Sequence, residues 1–396
     1  MIMNEKMIRR YARMLATVGI NVQKGQKVLV EACIEGYAFA NIFAQECYAC
    51  GASEVLINYI DLPFLKTKAQ YQKDEDVRKI QDWEVERYQK ILDEGACTIR
   101  LEGVNPKLME DASETQANAI FSYIDNLRNI MRKASREYSC QWCIAMVPTY
   151  EWATLMFPEL DKDEALDKLW NLLFKLCYLT EDNDIEEVWK QKNIIKHEQG
   201  KKLDDLNLKA FHYTASNGTD LIVELTPYSK FSYDTPKDSL TFNANIPTEE
   251  VFTSPNKYGT RGVVYASRPL ILGGKKVENF GFRFEEGKVV EVIANEGKEM
   301  LETLIHTDEN AGYLGECAFV EYSSPISQSG LVYYTTLIDE NASCHLALGS
   351  GFGPSDLFNQ STIHVDFMIG TSDMNIDGLK EDGTWIPIFR NGDFVI

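Results

Sequence analysis

The feature that most constrains the fold is a strand–helix–strand rhythm that begins at Gln26. Residues 26–32 (Q-K-V-L-V-E-A) read as a strand, 37–50 as a helix, Gly51 as its stop, and 53–59 (S-E-V-L-I-N-Y) as a second strand. Strands joined through a helix are parallel, and such crossovers are right-handed. The rhythm continues with a helix over 76–94, a strand over 96–102 (A-C-T-I-R-L-E), a long helix over 112–136 and a strand over 141–148. The expectation is an α/β N-terminal domain on a mainly parallel, Rossmann-like sheet. A dinucleotide fingerprint is missing, because the loop after the first strand holds only Gly36 and cannot cradle a pyrophosphate.

Residues 150–205 read as charged helices, with the acidic run 181–187 as a solvated helix start. After that the period changes. Segments 210–215, 219–225, 239–245, 262–266, 280–284 and 288–294 alternate as short strands, with turn signals at Asn217-Gly218, Gly273-Gly274 and Glu286-Gly287. The switch predicts two domains: an α/β domain over 1–205 and a strand-rich α+β domain over 206–396.

Charge narrows the partners. A formal net charge of −20 argues against nucleic acid, whose phosphates require clustered Lys and Arg. The first residues form a charged amphipathic pattern without the apolar core of a signal peptide, and no run approaches the ~18 apolar residues of a membrane span. A cytoplasmic location and no membrane partner are expected. Nine cysteines are an odd count, which suggests reduced thiols. Cys47/Cys50 and Cys140/Cys143 have C-x-x-C spacing, but the first pair lies inside a helical pattern without a zinc knuckle. Small buried side chains are the simpler reading.

The chemistry concentrates in 337–369, which holds His345 and His364 with Asp339, Glu340 and Asp366. Residues 362–369 alternate as a strand, so His364, Asp366 and Met368 share one face and Ile363, Val365, Phe367 and Ile369 the other. A buried His-x-Asp needs a partner. An ion pair would serve, and so would a divalent metal, for which N/O donors suit zinc, cobalt or manganese. Asn341-Ala342-Ser343 offers helix N-cap chemistry. That reading puts Glu340 just before a helix and His345 in its first turn, both able to face His364 and Asp366. On it, the glycine-rich 349–353 follows a helix rather than a strand and is not a nucleotide loop. Glu250 and Glu316, taken singly, read as surface acids.

Longer motifs carry more. N-I-P-T-E-E-V-F-T-S-P, G-V-V-Y-A-S-R-P-L, L-G-E-C-A, T-L-I-D-E-N-A-S-C-H-L-A-L-G and I-H-V-D-F-M-I-G occur in this order. With them the chain resembles, nearly end to end, the thermophilic metallo-aminopeptidase family of the aminopeptidase T, aminopeptidase S and PepS type. The resemblance implies a homodimer, and a C-terminal catalytic domain with two divalent metal ions (zinc, cobalt, manganese or magnesium). It places metal ligands at Glu250, Glu316, His345, His364 and Asp366, with Glu340 a further ligand or a carboxylate just behind them. The implied function is a metal-dependent aminopeptidase. It would hydrolyse the N-terminal residue from peptides with a free N-terminus through water activated by a dinuclear metal centre. Glu316, then Glu250, would carry the proton to the leaving amine. The alternatives are another dinuclear metal hydrolase of small amides, or a non-catalytic binding homologue. One departure stands out: where the family often has a tyrosine, seven residues after the first ligand histidine, this chain has Phe352.

Overall fold

The strands of the opening rhythm do pair side by side. In the computed structural model, residues 4–103, 108–109, 112–136, 140–231, 240–272, 275–353 and 357–396 are described. One parallel sheet has the order Glu54–Ile60, Lys27–Cys33, Cys97–Glu102, Trp142–Met146, Asn245–Ile246. Helices surround it, and the fold expected of the N-terminal half is found. Its second strand is buried from Val28 to Ala32, which explains the nearly continuous apolar run. The exception is Glu31, 2% exposed, whose Oε1 lies 2.7 Å from Arg128 Nε.

Two local expectations are corrected. The single helix over 76–94 is divided into Asp74–Val77 and Asp82–Asp93. The second piece starts afresh because Glu84 reaches back to the Gln81 amide at 2.8 Å in a capping box. A further helix, Leu62–Tyr71, is capped by Asp61, which accepts from the Phe64 amide at 2.8 Å. The expected strand 239–245, described from Leu240 on, is not found as a strand of the second half. Leu240–Ala244 form none, and Asn245–Ile246 joins the parallel sheet instead. Asn243 spends its hydrogen bonds on the end of the first helical stretch, donating from its amide to Gly19 O at 2.9 Å and from Nδ2 to Val18 O at 3.0 Å.

The chain forms two compact units, Met1–Lys190 with Thr235–Pro247 and Gln191–Asp234 with Thr248–Ile396. The division falls within the helix Ile185–Asp205, whereas the change of sequence period falls at that helix's C-terminal end. The second unit holds an eight-stranded sheet that includes Ala210–Thr214, Asp220–Glu224, Thr260–Tyr265 and the hairpin Phe280–Glu285/Lys288–Ala294. That hairpin turns at Glu286-Gly287, both with positive φ (49° and 84°), the backbone a two-residue type I′ turn requires. Gly273-Gly274 lies outside the described residues.

A smaller antiparallel sheet positions the site. Its order is His364–Met368, His345–Gly349, Leu314–Phe319, Val251–Thr253. One face of it is core. Val251, Cys317, Phe319, Leu346, Leu348 and Phe367 join the cluster that also contains Phe211, Tyr213, Phe282 and Phe389 of the larger sheet. Phe319 meets Phe211 at 4.9 Å and Phe389 at 5.5 Å between ring centroids, and Phe367 meets Phe282 at 5.1 Å. Each such ring stabilises the fold by roughly 1.5–3 kcal/mol relative to exposure. No described helix is long and apolar enough to cross a membrane.

Candidate metal centre

What the core does not take from these strands faces the other way. Pairing sets His345 opposite Met368, Ala347 opposite Asp366 and Gly349 opposite His364. On the other flank Ala318 pairs with His345 and Glu316 with Ala347, and Phe252 pairs with Ala318. Opposed residues share a face. Glu316, His345, His364 and Asp366 therefore converge on one side of the sheet, with the small Ala347 between Glu316 and Asp366. Glu250 enters from just before the edge strand.

A β-bulge at Gly315 makes the arrangement possible. Register shifts between Leu314 and Glu316, so these two residues face opposite sides although a regular strand would align them. Leu314 goes to the core and Glu316 to the ligands. A Cβ on Gly315 would stand 2.3 Å from Ser350 O, so only glycine lets the chains approach there.

The side chains meet in two overlapping groups. Glu250, Glu316 and His345 form one, and Glu316, His364 and Asp366 the other, the ligand-type atoms in each lying within 4.8 Å of one another. Among the described residues these are the only clusters of three or more such side chains. Neither C-x-x-C pair belongs to one. Glu316, 4% exposed, is common to both. Its Oε1 is 3.6 Å from His345 Nε2 and its Oε2 is 3.3 Å from His364 Nε2. Glu250 Oε2 is 3.2 Å from His345 Nε2, and Asp366 Oδ1 is 3.5 Å from His364 Nε2.

Each imidazole is held from behind. His345 Nδ1 donates to Ser343 O at 3.3 Å and His364 Nδ1 to Ser350 O at 2.7 Å. A carbonyl can only accept, so the proton is fixed on Nδ1 and Nε2 is the atom turned to the carboxylates, the usual support of a ligating histidine. Burial opposes charging of His345, yet hydrogen bonds with Glu250 and Glu316 outweigh it and hold its pKa well above the ordinary imidazole value. His364 is exposed at the start of its strand, yet its ring is turned in among the carboxylates. Desolvation of the ring again opposes charging, and Asp366 and Glu316 again outweigh it and raise the pKa. Burial works against ionising Asp366 too, but the His364 charge beside it brings its pKa down. Burial, then the negative charges of Asp366 and Glu250, push the Glu340 carboxyl well above the carboxylate range. The cluster thus attracts positive charge at two places, each between a histidine and its carboxylates. These donors fit divalent cations, and their N/O character, with no thiolate, matches zinc, cobalt or manganese better than a cysteine-rich structural site.

The neighbourhood of His345 differs from the helix expected. Glu340–Ala342 is a single 3-10 turn after the helix Thr336–Asp339, Ser343 is extended (φ −169°, ψ 170°), and His345 opens a strand. Asn341 is not an N-cap, since no helix follows it. It is fully buried, accepts from the Glu249 amide at 2.7 Å and donates to Leu337 O at 3.2 Å. It thereby ties the segment before Glu250 to the turn that carries Glu340. The glycine-rich 349–353 accordingly follows a strand, not a helix. Glu340 lies near the ligands electrostatically but belongs to neither close group. The supporting carbonyls of Ser343 and Ser350, and Asn341, left no signal in the sequence, because ordinary polar residues acquire such roles only through pairing.

Comparison with known proteins supplies the class. The chain belongs to the thermophilic metalloprotease family M29, which matches residues 4–394. Among individual relatives, it is 36% identical to aminopeptidase AmpS of Bacillus subtilis (strain 168), covering 98% of both chains. It is 35% identical, with the same coverage, to aminopeptidase T of Thermus thermophilus. The solved structure of wild-type AmpT from Thermus thermophilus superposes with a TM-score of 0.92 at 34% identity, over 99% of this chain and 100% of that one. The resemblance read from the motifs is thus shown, as is the fold class.

Proposed function

We propose that this chain is a metal-dependent aminopeptidase acting on peptides with a free N-terminus, at a dinuclear centre in the C-terminal segment 206–396. One observation carries the dinuclear reading: the two oxygens of Glu316 are divided between His345 and His364. One cation would be held by Glu250, His345 and Glu316, the other by Glu316, His364 and Asp366. Glu340 stands behind them. With divalent ions bound, Glu340 would ionise as well, and its charge with those of Glu250, Glu316 and Asp366 would balance two such ions. When bound, such ions (zinc, cobalt, manganese or magnesium) supply Lewis acidity and water of lowered pKa.

The protein's own groups divide the remaining work. Glu316 has both oxygens committed, so it holds rather than shuttles. Glu250 engages His345 through Oε2 alone, which leaves Oε1 to take a proton from water and deliver it to the leaving amine. A carboxylate beside the ions could also accept from a substrate's α-amine, which would account for the need for a free N-terminus. The aminopeptidase names of the relatives support this over a small-amide hydrolase or a binding homologue. The test is hydrolysis of aminoacyl p-nitroanilides and short peptides by purified protein. Chelation should abolish it, divalent metal should restore it, and N-acetylated peptides should resist. Rapid cutting of acetylated peptides would remove the aminopeptidase assignment.

A further inference from the structure

Among the described residues, the face that carries the ligands has one large apolar group nearly half open to solvent. Phe352 is 46% exposed, although it sits in a turn otherwise made of glycine and serine. Its ring lies 5.4 Å from Phe252 and 5.3 Å from the His364 ring, edge-on to both. The turn is pinned. The Phe352 amide donates to Ser254 Oγ at 2.6 Å, the Gly351 amide to Asn359 O at 2.8 Å and the Ser350 amide to Ile363 O at 2.7 Å. The ring is therefore held over the sheet, in contact with a candidate ligand, while nearly half of it remains wet. The other apolar groups on this face offer less: Ala318 and Ala347 are small, Met368 is buried and Phe252 is partly covered behind the Phe352 ring.

We propose that Phe352, backed by Phe252, is the wall against which the side chain of the substrate's N-terminal residue packs, so that peptides beginning with leucine or phenylalanine are preferred. This rests on the aminopeptidase reading. A substrate whose first peptide bond lies at this centre has its first side chain within reach of the ring beside His364. An apolar side chain would bury surface that neither partner can otherwise cover. A glutamyl side chain would instead give up water at a ring that offers it no polar partner.

The test compares kcat/KM for leucyl, phenylalanyl, alanyl and glutamyl p-nitroanilides, which share one leaving group, in wild type, Phe352→Ala and Phe352→Leu. A pocket contact of this size discriminates by about 10- to 200-fold. The leucyl-to-alanyl ratio should therefore fall at least about tenfold in Phe352→Ala, mostly through KM, and largely recover in Phe352→Leu. Metal content measured on each variant separates a lost wall from a disturbed His364. An unchanged ratio, or an equal loss on all substrates, would overturn the proposal while leaving the aminopeptidase reading intact. If the metal-loaded wild type hydrolysed none of the four, both would fall together.

Discussion

Replacing Glu316 with glutamine is the sharpest perturbation available. The side chain keeps its shape but loses its charge at a buried position 4% exposed. Because its oxygens stand 3.6 Å and 3.3 Å from the two histidines, the loss falls on both groups at once. Breaking one partner out of a buried charge arrangement costs about 3–5 kcal/mol. At about 1.4 kcal/mol per tenfold, each ion should bind about 100- to 5,000-fold more weakly. His345→Ala and His364→Ala each touch one group only, so each should spare one tight ion. Elemental analysis after equilibrium dialysis against a buffered zinc series, with isothermal titration for the constants, reads this directly. Wild type should hold two ions, either histidine variant one, and Glu316→Gln neither at zinc activities that saturate wild type. A Glu316→Gln protein that kept one ion tightly, or a His345→Ala protein that lost both together, would refute the shared-carboxylate reasoning.

Other outcomes follow from the same geometry. Asp366→Ala should lower metal content without unfolding the protein, checked by elemental analysis beside circular dichroism; full occupancy would dismiss it as a ligand. Arg128→Ala strips the 2.7 Å partner from Glu31 but leaves Arg100 at 4.0 Å, so the urea midpoint should fall by the equivalent of about 1–3 kcal/mol; an unmoved midpoint would mean that the pair contributes nothing. Phe352→Tyr restores the hydroxyl of the resembling family. Its turnover should rise less than tenfold, well short of the ~10²–10³ of a missing oxyanion donor, and a larger rise would show that such a donor is absent here. Light scattering should report a homodimer, twice the 45.1 kDa chain, and the monomer mass at micromolar concentration would contradict it.

Period-2 and period-3.6 patterns made much of the fold legible. The parallel strands were readable because their buried positions are mostly apolar, and the faces of His364 and Asp366 because alternation needs no partner. The helix expected at His345 is absent for a physical reason: H-L-A-L-G is rich in helix formers, and its strand state comes from pairing on both sides, which overrides propensity. Glu250 and Glu316 were invisible as ligands from composition, since register between strands far apart in sequence leaves no trace within either strand. Family resemblance, not residue chemistry, marked them. The bulge that turns Glu316 away from the core could not be seen in L-G-E-C-A, where the glycine reads as a strand weakness.

The four-stranded sheet has one face that is core and one that is chemistry, and this has a consequence for how the chain tolerates change. Along His345–Gly349 and His364–Met368, neighbouring residues answer to different demands. In a random library over these strands, selection for soluble protein would deplete Leu346, Leu348 and Phe367 variants. Selection for turnover would also deplete His345, His364 and Asp366 variants, many of which fold normally. The two survival maps would interleave residue by residue, so a lineage could surrender catalysis along this sheet while its scaffold persisted unaltered.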